Sequence, residues 1–446
     1  MWTINELIVF NDLHLAPERN TCSFHLDEEL ADCLRWVLAE TQDCVVVLAG
    51  DVFDFLTSNN CAPQNGFARF SCHSRQIIEH HPEIFDALTR LAQSPQHTLV
   101  FMSGECDAEL LIPDVQEIIE QRLGFTSPNV SIRWLVQDKA LRIQVGPAVV
   151  LIEHGNTFDP WNRLDHAALQ TTLSLASRNL PEPRMDEESR QTQEPLGRQL
   201  TSKVINYMRN RHHWLDCLKP VNESILPLLW PLASQPEQKI ILELAGDYES
   251  MKTEAALRKQ SNSPNPATLY QGEKEADDSP VDHIFKDWID SIYSLRDGAK
   301  PSSKSKMIEN IKLISNHDSF FQIEQPDNTS KYLQPMFNGG ADLIIHGHTR
   351  AAKICTLDCG VYINTGAWSE LIQLPRSEES NGVWQEFLER LKTNDVDRVA
   401  RPTLAHVYYE QGSWPAGSLV EWSSAGPETL ATRHLKTQVL TQRSGV

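Results

Sequence analysis

The chain alternates short apolar runs with polar, chemically loaded turns. Residues 5–10 close on Ile8-Val9-Phe10 and run into Asp12. Residues 44–49 (Cys-Val-Val-Val-Leu-Ala) run into Gly50-Asp51, 98–102 into Gly104, 148–153 into His154, and 341–345 into His346. Continuous apolar runs of this length suit strands buried on both faces. Between the early runs the spacing changes to that of helices. Ile77, Ile78, Ile84, Phe85, Leu88 and Leu91 share one helical face, and Val115, Ile118, Ile119 and Leu123 share another. Strand-helix-strand repeats predict largely parallel pairing, with functional groups gathered at the carboxyl ends of the strands.

Three β-rich runs follow at 129–134, 140–145 and 148–153, and read as a meander entering a second sheet. After Arg163 the character shifts. Residues 179–197 are rich in Pro, Glu, Arg and Gln and read as an exposed linker. Leu200, Val204, Tyr207, Met208 and Leu215 return to helical spacing, and 221–260 read as helical with interruptions at Pro227, Pro231 and Pro236. Residues 259–281 are polar and proline-rich, and a loop is expected there; helical patterning resumes over 284–295. Segments 1–163 and 339–446 therefore read as two parts of one core, and 164–338 as a mainly helical insertion, a cap or a partner-binding unit. Near the end, Trp384, Phe387, Leu388 and Leu391 predict a helix, and 404–409 with 418–422 a hairpin at a sheet edge.

Composition adds limits. With 446 residues and 40% hydrophobic content, a sizeable core can be buried. Sixty acidic residues against 40 basic ones give a formal charge of −20, which disfavours broad wrapping of nucleic acid and leaves room for a local basic groove. Nine scattered cysteines without a CxxC pair read as reduced thiols. The first ten residues lack the pattern of a secretory signal, and no run approaches the length of a membrane span, so a cytoplasmic protein is expected.

The polar turns carry the chemistry. Asp12-Leu13-His14, Gly50-Asp51-Val52-Phe53-Asp54, Gly104-Glu105-Cys106-Asp107, Glu153-His154-Gly155-Asn156 and His346-Gly347-His348-Thr349 supply carboxylates and imidazoles, each beside a predicted strand. That inventory suits two divalent ions about 3.5–4 Å apart, which need a bridging carboxylate flanked by imidazoles. Asp51 follows a strand and a glycine, so the backbone can turn sharply there. Asp12 and His14, two apart in backbone read as extended, project to the same side, as do His346 and His348.

This ordered set resembles the calcineurin-like metallophosphoesterase superfamily over residues 1–160 and 341–370. The resemblance implies an α/β (α+β) sandwich, a four-layer core of two mixed β-sheets flanked by helices. It implies that Asp12, His14 and His348 hold one metal, that Asp51 bridges, and that His154 and His346 hold the second. Asn364-Thr365-Gly366 resembles the turn that follows the family's His-Gly-His segment. The third motif departs from the pattern. Glu105 stands where the family has an asparagine ligand, and remains able to bind a cation. Cys106 stands where the family has a histidine, and a thiol is a poor substitute for a histidine acid. The UDP-2,3-diacylglucosamine hydrolases of the family also lack that histidine but keep an arginine there. This chain resembles that subgroup in Asp-Leu-His-Leu and Gly-Asp-x-Phe-Asp.

The implied activity is hydrolysis of a phosphoester by a hydroxide bridging two divalent ions, with Mn²⁺ expected and Fe, Zn or Ni as alternatives. Asp51, His154, Asp107 and Cys106 are the residues assigned to the reacting centre, with Asp54 and Asp107 orienting histidines. Arg163 and Asn156 are candidate substrate contacts, Arg163 as a phosphate clamp. Without a histidine acid, a diester or pyrophosphate with an acidic leaving group is favoured over a monoester. A nuclease that borrows nucleic-acid binding from a partner is an alternative, and so is a non-catalytic metal-binding scaffold whose insertion binds a protein.

Overall fold

The structure is a computed structural model. It describes residues 2–17, 24–57, 68–124, 130–137, 139–166, 168–171, 194–218, 225–260, 308–309, 312, 322–327, 329–376 and 378–435, with backbone alone for 251–260. Most of the expected loops at 179–197 and 259–281, and the helix expected over 284–295, lie outside these residues.

Two large mixed β-sheets, flanked by helices, make up the fold. The first has seven strands; β2 (Glu6–Phe10), β3 (Cys44–Ala49), β4 (His97–Met102) and β5 (Ile132–Leu135) are parallel, and with β13 (Thr403–Tyr408), β14 (Ala416–Ser423) and β15 (Gly426–His434) the order is β15-β14-β13-β2-β3-β4-β5. The second has six, β1 (Trp2–Ile4), β6 (Leu141–Val145), β7 (Ala148–Ile152), β8 (Leu343–His346), β10 (Gly360–Asn364) and β9 (Lys353–Leu357), in the order β1-β6-β7-β8-β10-β9, and β11 (Glu370–Ile372) pairs with β12 (Arg398–Ala400) apart from both. Strand alternation explains why the early runs are apolar throughout. Leu7, Val9, Val45 and Val47 face the second sheet, while Ile8, Phe10, Val46 and Leu48 face the helical layer.

That layer is built from α1 (Asp27–Glu40), α2 (Ala68–His80), α3 (Pro82–Gln93) and α4 (Pro113–Arg122). In α1, Asp27, Glu28 and Glu29 sit in the first turn, where the helix dipole favours acids, and Leu30, Cys33, Leu34 and Val37 form the buried stripe. The apolar face read across residues 77–91 is divided between α2 and α3, because Pro82 cannot continue a helix and instead opens the next one.

Three expectations change in the structure. The first of the three β-rich runs supplies β5, which pairs with β4 in the first sheet, so of the three only β6 and β7 join the second sheet, where β1 also pairs with β6. The pair β13 (Thr403–Tyr408) and β14 (Ala416–Ser423) is not at an edge: β13 pairs with β2, and β15 (Gly426–His434) extends the sheet beyond β14. Pro236 lies at the start of the helix Gln235–Gln260 rather than interrupting one.

Segments of the insertion pack closely on the rest. Leu200, Val204, Met208, Trp214, Leu229, Ile241 and Tyr248 form one buried cluster with Trp161 and with Trp384, Phe387 and Leu391 of the helix Asn381–Lys392. Trp214 Nε1 donates to the Leu391 carbonyl at 2.7 Å. Among the described residues, no helix is long and apolar enough to cross a membrane.

Candidate metal centre

The carboxyl ends of β2, β3 and β4 lie side by side in the first sheet, and those of β7 and β8 in the second. The turns after these strands meet. Asp12 N donates to the Gly50 carbonyl at 3.2 Å and His14 N to the Asp51 carbonyl at 2.9 Å, which locks the first two turns together. Asp107 ties in the third: its carboxylate accepts from Gly104 N at 2.6 Å and Val52 N at 2.8 Å.

The backbone here is strained. Seven non-glycine residues among those described have positive φ, and five are Asp12, His14, Asp51, His348 and Arg350, at 50° to 62°. The left-handed region costs side-chain-bearing residues of order 1 kcal/mol each, and such strain concentrates at functional sites. Asp12 and His14 thus converge through left-handed turns, not through the extended backbone their spacing suggested.

The ligand atoms form three groups, each with members within 4.8 Å of one another: His14, Asp51 and Cys106; Glu105, His154 and His348; Asp12, Asp51 and His154. Asp51 divides its oxygens, with Oδ2 3.7 Å from His14 Nε2 and Oδ1 3.7 Å from His154 Nε2. Glu105 does the same, with Oε2 2.9 Å from His154 Nε2 and Oε1 2.9 Å from His348 Nδ1. All these side chains are buried. His154 Nδ1 lies 3.2 Å from both Asn11 Oδ1 and the Ala49 carbonyl. Both atoms accept, so Nδ1 carries the proton and Nε2 is aimed at the carboxylates. Asp159 Oδ2, 3.0 Å from His348 Nε2, orients that ring, while Asp54 Oδ2 faces His14 Nδ1 at 3.9 Å, beyond hydrogen-bond reach.

Electrostatics follow from dense burial. Burial raises Asp12 and Asp51 above the ordinary carboxylate range, Asp51 further because Glu105 is close. Burial pushes Glu105 up too, but the His348 and His154 imidazoles outweigh it and hold that carboxyl well below its usual range. Burial works against charge on His154, yet Asp51, Glu105 and Asp12 prevail and raise it to about 9. His348 is likewise raised well above its ordinary value, chiefly by Glu105 against burial. Burial takes Asp107 to about 6 despite its backbone amide donors. Burial and mutual charge thus favour protons on His154 and His348 and also on Asp12 and Asp51, and bound cations would replace such protons.

The residues fit a metal on independent grounds. Asp12 Oδ1 is buried without a hydrogen-bond partner. Three glycines make room for the ligands: a Cβ on Gly104 would stand 2.3 Å from Asp51 Oδ1, one on Gly50 2.6 Å from His154 Nδ1, and one on Gly347 2.5 Å from Asp12 Oδ2.

Not every expected residue joins. His346 ends β8 and shares the outer face of its sheet with Ile344, stacking on Phe158 and meeting Tyr362 edge-on. Its Nε2 lies 3.0 Å from Glu153 Oε1, without the alignment of a hydrogen bond, and it belongs to none of the three groups. His348, expected beside Asp12 and His14, groups with Glu105 and His154 instead. Its backbone amide is what reaches Asp12, at 2.7 Å from Oδ2. Asp107 holds backbone amides and is absent from the three groups. Arg163 is exposed and does not line the cavity; Asn156 is buried and donates to the Asn162 carbonyl at 3.1 Å.

Two arginines missing from the sequence reading are present instead. A small cavity, with about 10 Å³ of room for the centre of a water-sized sphere, opens on His14, Asp51, Glu105, Cys106 and His348, and its walls include Arg198, Thr201, Asn162 and Arg350. Arg350 is buried, with Nη1 donating to Ser369 Oγ at 3.0 Å and Nε 3.9 Å from Asp12 Oδ1, while Nη2 has no partner. Arg198 reaches from the insertion to donate to the Glu105 carbonyl at 2.5 Å and to Glu109 Oε1 at 2.6 Å. Thr201 lies in a π-helical turn, Thr201–Ile205, of the kind often found at functional sites. Arg350 stood two residues past His348 and could have been found there. Nothing in the sequence marked Arg198.

Compared with known proteins, the chain matches no protein-family model and no curated protein. The fold and site define a mixed α/β protein whose buried His, Asp, Glu and Cys groups could hold metal ions.

Proposed function

We propose that this chain is a metal-dependent phosphoester hydrolase with the four-layer core and binuclear centre of the calcineurin-like metallophosphoesterases. The observation that carries the proposal is Asp51, whose two oxygens face two different imidazoles at 3.7 Å, with Asp12, Glu105 and His348 completing the acidic, imidazole-rich surround. In this reading Asp12, His14, Asp51, Glu105, His154 and His348 hold two divalent cations. Bound there, the cations supply a hydroxide nucleophile at neutral pH and neutralise charge on the phosphoryl oxygens.

The chain's own residues supply the rest. Arg350 has a buried nitrogen with no partner on the cavity wall, and Arg198 stands on the wall contributed by the insertion. Guanidinium groups are suited to phosphate oxygens. Asp159 and Asn11 hold the His348 and His154 imidazoles in place. His14 and His348 are the histidines on the cavity wall, and both are assigned to cations. A leaving group that needs no proton, as in an activated diester or a pyrophosphate, therefore fits best. The cavity is walled by Gly197, Arg198 and Thr201 of the insertion, which favours a small phosphoester over a nucleic-acid strand.

The test is hydrolysis of an aryl phosphodiester beside an aryl phosphomonoester, with and without Mn²⁺, with Asp51→Asn as control. The expected outcome is Mn²⁺-dependent cleavage of the diester that Asp51→Asn abolishes. Metal-loaded protein that cleaves neither ester would overturn the proposal in favour of a non-catalytic scaffold.

A further inference from the structure

We infer that the two cation positions are chemically unequal, and that Cys106 is a sulfur ligand making the position at His14 and Asp51 selective for a borderline ion such as Zn²⁺ or Fe²⁺. The inference rests on the metal-binding reading above and assigns one position within it.

The geometry supports this in three ways. Cys106 Sγ belongs to the same compact group as a His14 nitrogen and an Asp51 oxygen, all within 4.8 Å of one another. The cysteine is buried, and its backbone is fixed on both sides: its amide donates to Asp51 Oδ1 at 2.8 Å, and its carbonyl accepts from Phe55 N at 3.2 Å. The sulfur is thus held by the bridging carboxylate's own network and by the turn after β3. Beside His14, Asp12 Oδ1 is buried without a hydrogen-bond partner, 3.6 Å from His14 Nε2, and Asp12 groups in turn with Asp51 and His154, so an unpartnered oxygen stands next to the histidine that would share an ion with the sulfur.

The donors on the two sides differ in kind. His14, Asp51 and Cys106 offer nitrogen, oxygen and sulfur; Glu105, His154 and His348 offer oxygen and nitrogen only. Thiolate ligands favour zinc and iron over manganese, whereas carboxylate and imidazole discriminate weakly. Binding at Cys106 forms a metal–sulfur bond and releases the thiol proton to solvent, with no change of oxidation state. An asymmetric pair follows, with a thiophilic ion at His14 and a harder ion such as Mn²⁺ at Glu105. This narrows the expectation of two divalent ions, Mn²⁺ with Fe, Zn or Ni as alternatives, by giving the two positions different preferences.

The experiment is cobalt(II) titration of the metal-stripped full-length chain, read by electronic absorption, with isothermal titration calorimetry alongside. A thiolate-to-cobalt charge-transfer band in the near ultraviolet is expected. It should be lost in Cys106→Ser and kept in Cys217→Ser, while both variants retain the visible ligand-field bands of bound cobalt. The ratio of Zn²⁺ to Mn²⁺ affinity should fall about 10-fold or more in Cys106→Ser. Ligand-field bands without charge transfer in the wild-type chain would overturn the sulfur ligand and leave the metal-binding reading standing. A charge-transfer band that survives in Cys106→Ser and in Cys106→Ala would also overturn it. Absence of cobalt binding by calorimetry would overturn both. Because the wild-type spectrum alone can refute the assignment, the test does not depend on the variants folding.

Discussion

Gly104→Ala adds one methyl group at the centre of the proposed site, and its effect can be estimated from the structure. The new Cβ would stand 2.3 Å from Asp51 Oδ1 and 2.6 Å from His154 Nε2, against an ordinary contact of 3.4 Å or more. Asp51 Oδ1 must therefore retreat by about 1 Å, and retreat is obstructed. Its carboxylate accepts from Cys106 N at 2.8 Å, and His154 is held from behind by Asn11 and Ala49. Overpacking of this kind costs about 1–3 kcal/mol in stability. The functional cost is larger, because a displacement of about 1 Å in a group that positions the reacting centre lowers the rate about 10²-fold.

The assay pairs Mn²⁺ binding by calorimetry with kcat/KM on an aryl phosphodiester and a thermal melt of the metal-free chain. The expected pattern is a modest fall in Tm, a metal affinity weakened at least 10-fold, and kcat/KM reduced about 100-fold. The alternative explanation, that any added methyl at a buried glycine is harmful, is controlled by Gly360→Ala. There a Cβ would meet the Phe337 ring at 2.3 Å, away from the site, so stability should fall without a specific loss of metal affinity. A Gly104→Ala chain that folds and binds Mn²⁺ like wild type would refute the placement of Asp51 and His154 as ligands.

Arg198→Ala should remove the ion pair with Glu109, whose partners are 12% and 6% exposed, and strand a buried carboxylate at a cost of about 3–5 kcal/mol. A thermal melt checks this: Arg198→Ala/Glu109→Ala should recover part of the loss, and equal stability of the single variant and wild type would contradict the burial argument. The metal-free chain should lose stability as pH rises. His154 is raised in the fold to about 9, so its contribution is complete below its unfolded value near 6.5 and is lost as pH climbs through 9. Asp12 and Asp51, also raised, act in the same direction from lower pH. Bound cations replace those protons, so the gain in Tm from Mn²⁺ should grow between pH 6.5 and 9; a gain that shrinks over this range would contradict the assignment of His154.

Much of this architecture was legible because buried parallel strands are apolar throughout and end at polar turns. β2, β3, β4, β7 and β8 all follow that pattern, and the turns they feed supply the three compact groups directly. What was lost depended on pairing and on backbone angle. No local pattern distinguishes a run that closes the first sheet, as β5 does, from one that opens the second. Nor does spacing fix which way a side chain leaves a turn. His346 and His348 look equivalent in sequence, but His346 is the last residue of a regular strand and follows its alternation outward, whereas His348 has left the strand with φ at 62°. Arg198 was illegible for a different reason. Its role comes from the fold of the insertion over the third turn, and an isolated arginine in a polar, proline-rich stretch reads as a solvated surface residue.

The insertion's packing also constrains how substrate selection can work. Trp214 and Trp384, both fully buried, belong to a cluster that joins the insertion to the helix Asn381–Lys392, and Trp161 joins it to the turn after β7. Swinging the segment around Arg198 away from the cavity would expose several such side chains, at about 1.5–3 kcal/mol each. It would also break the Arg198–Glu109 pair and the bonds that Arg209 Nη1 and Asn206 Nδ2 donate to the Thr57 and Leu56 carbonyls, at 3.3 and 2.8 Å. A wall so firmly held does not serve as a lid. Arg198, Thr201 and Arg350 are therefore fixed parts of the cavity, and under the proposed function selectivity would follow from the shape and charge they present before substrate arrives. The overall charge of −20 gives anions no long-range attraction, so recognition of the proposed phosphoester would come from these two guanidinium groups and the proposed cations at close range.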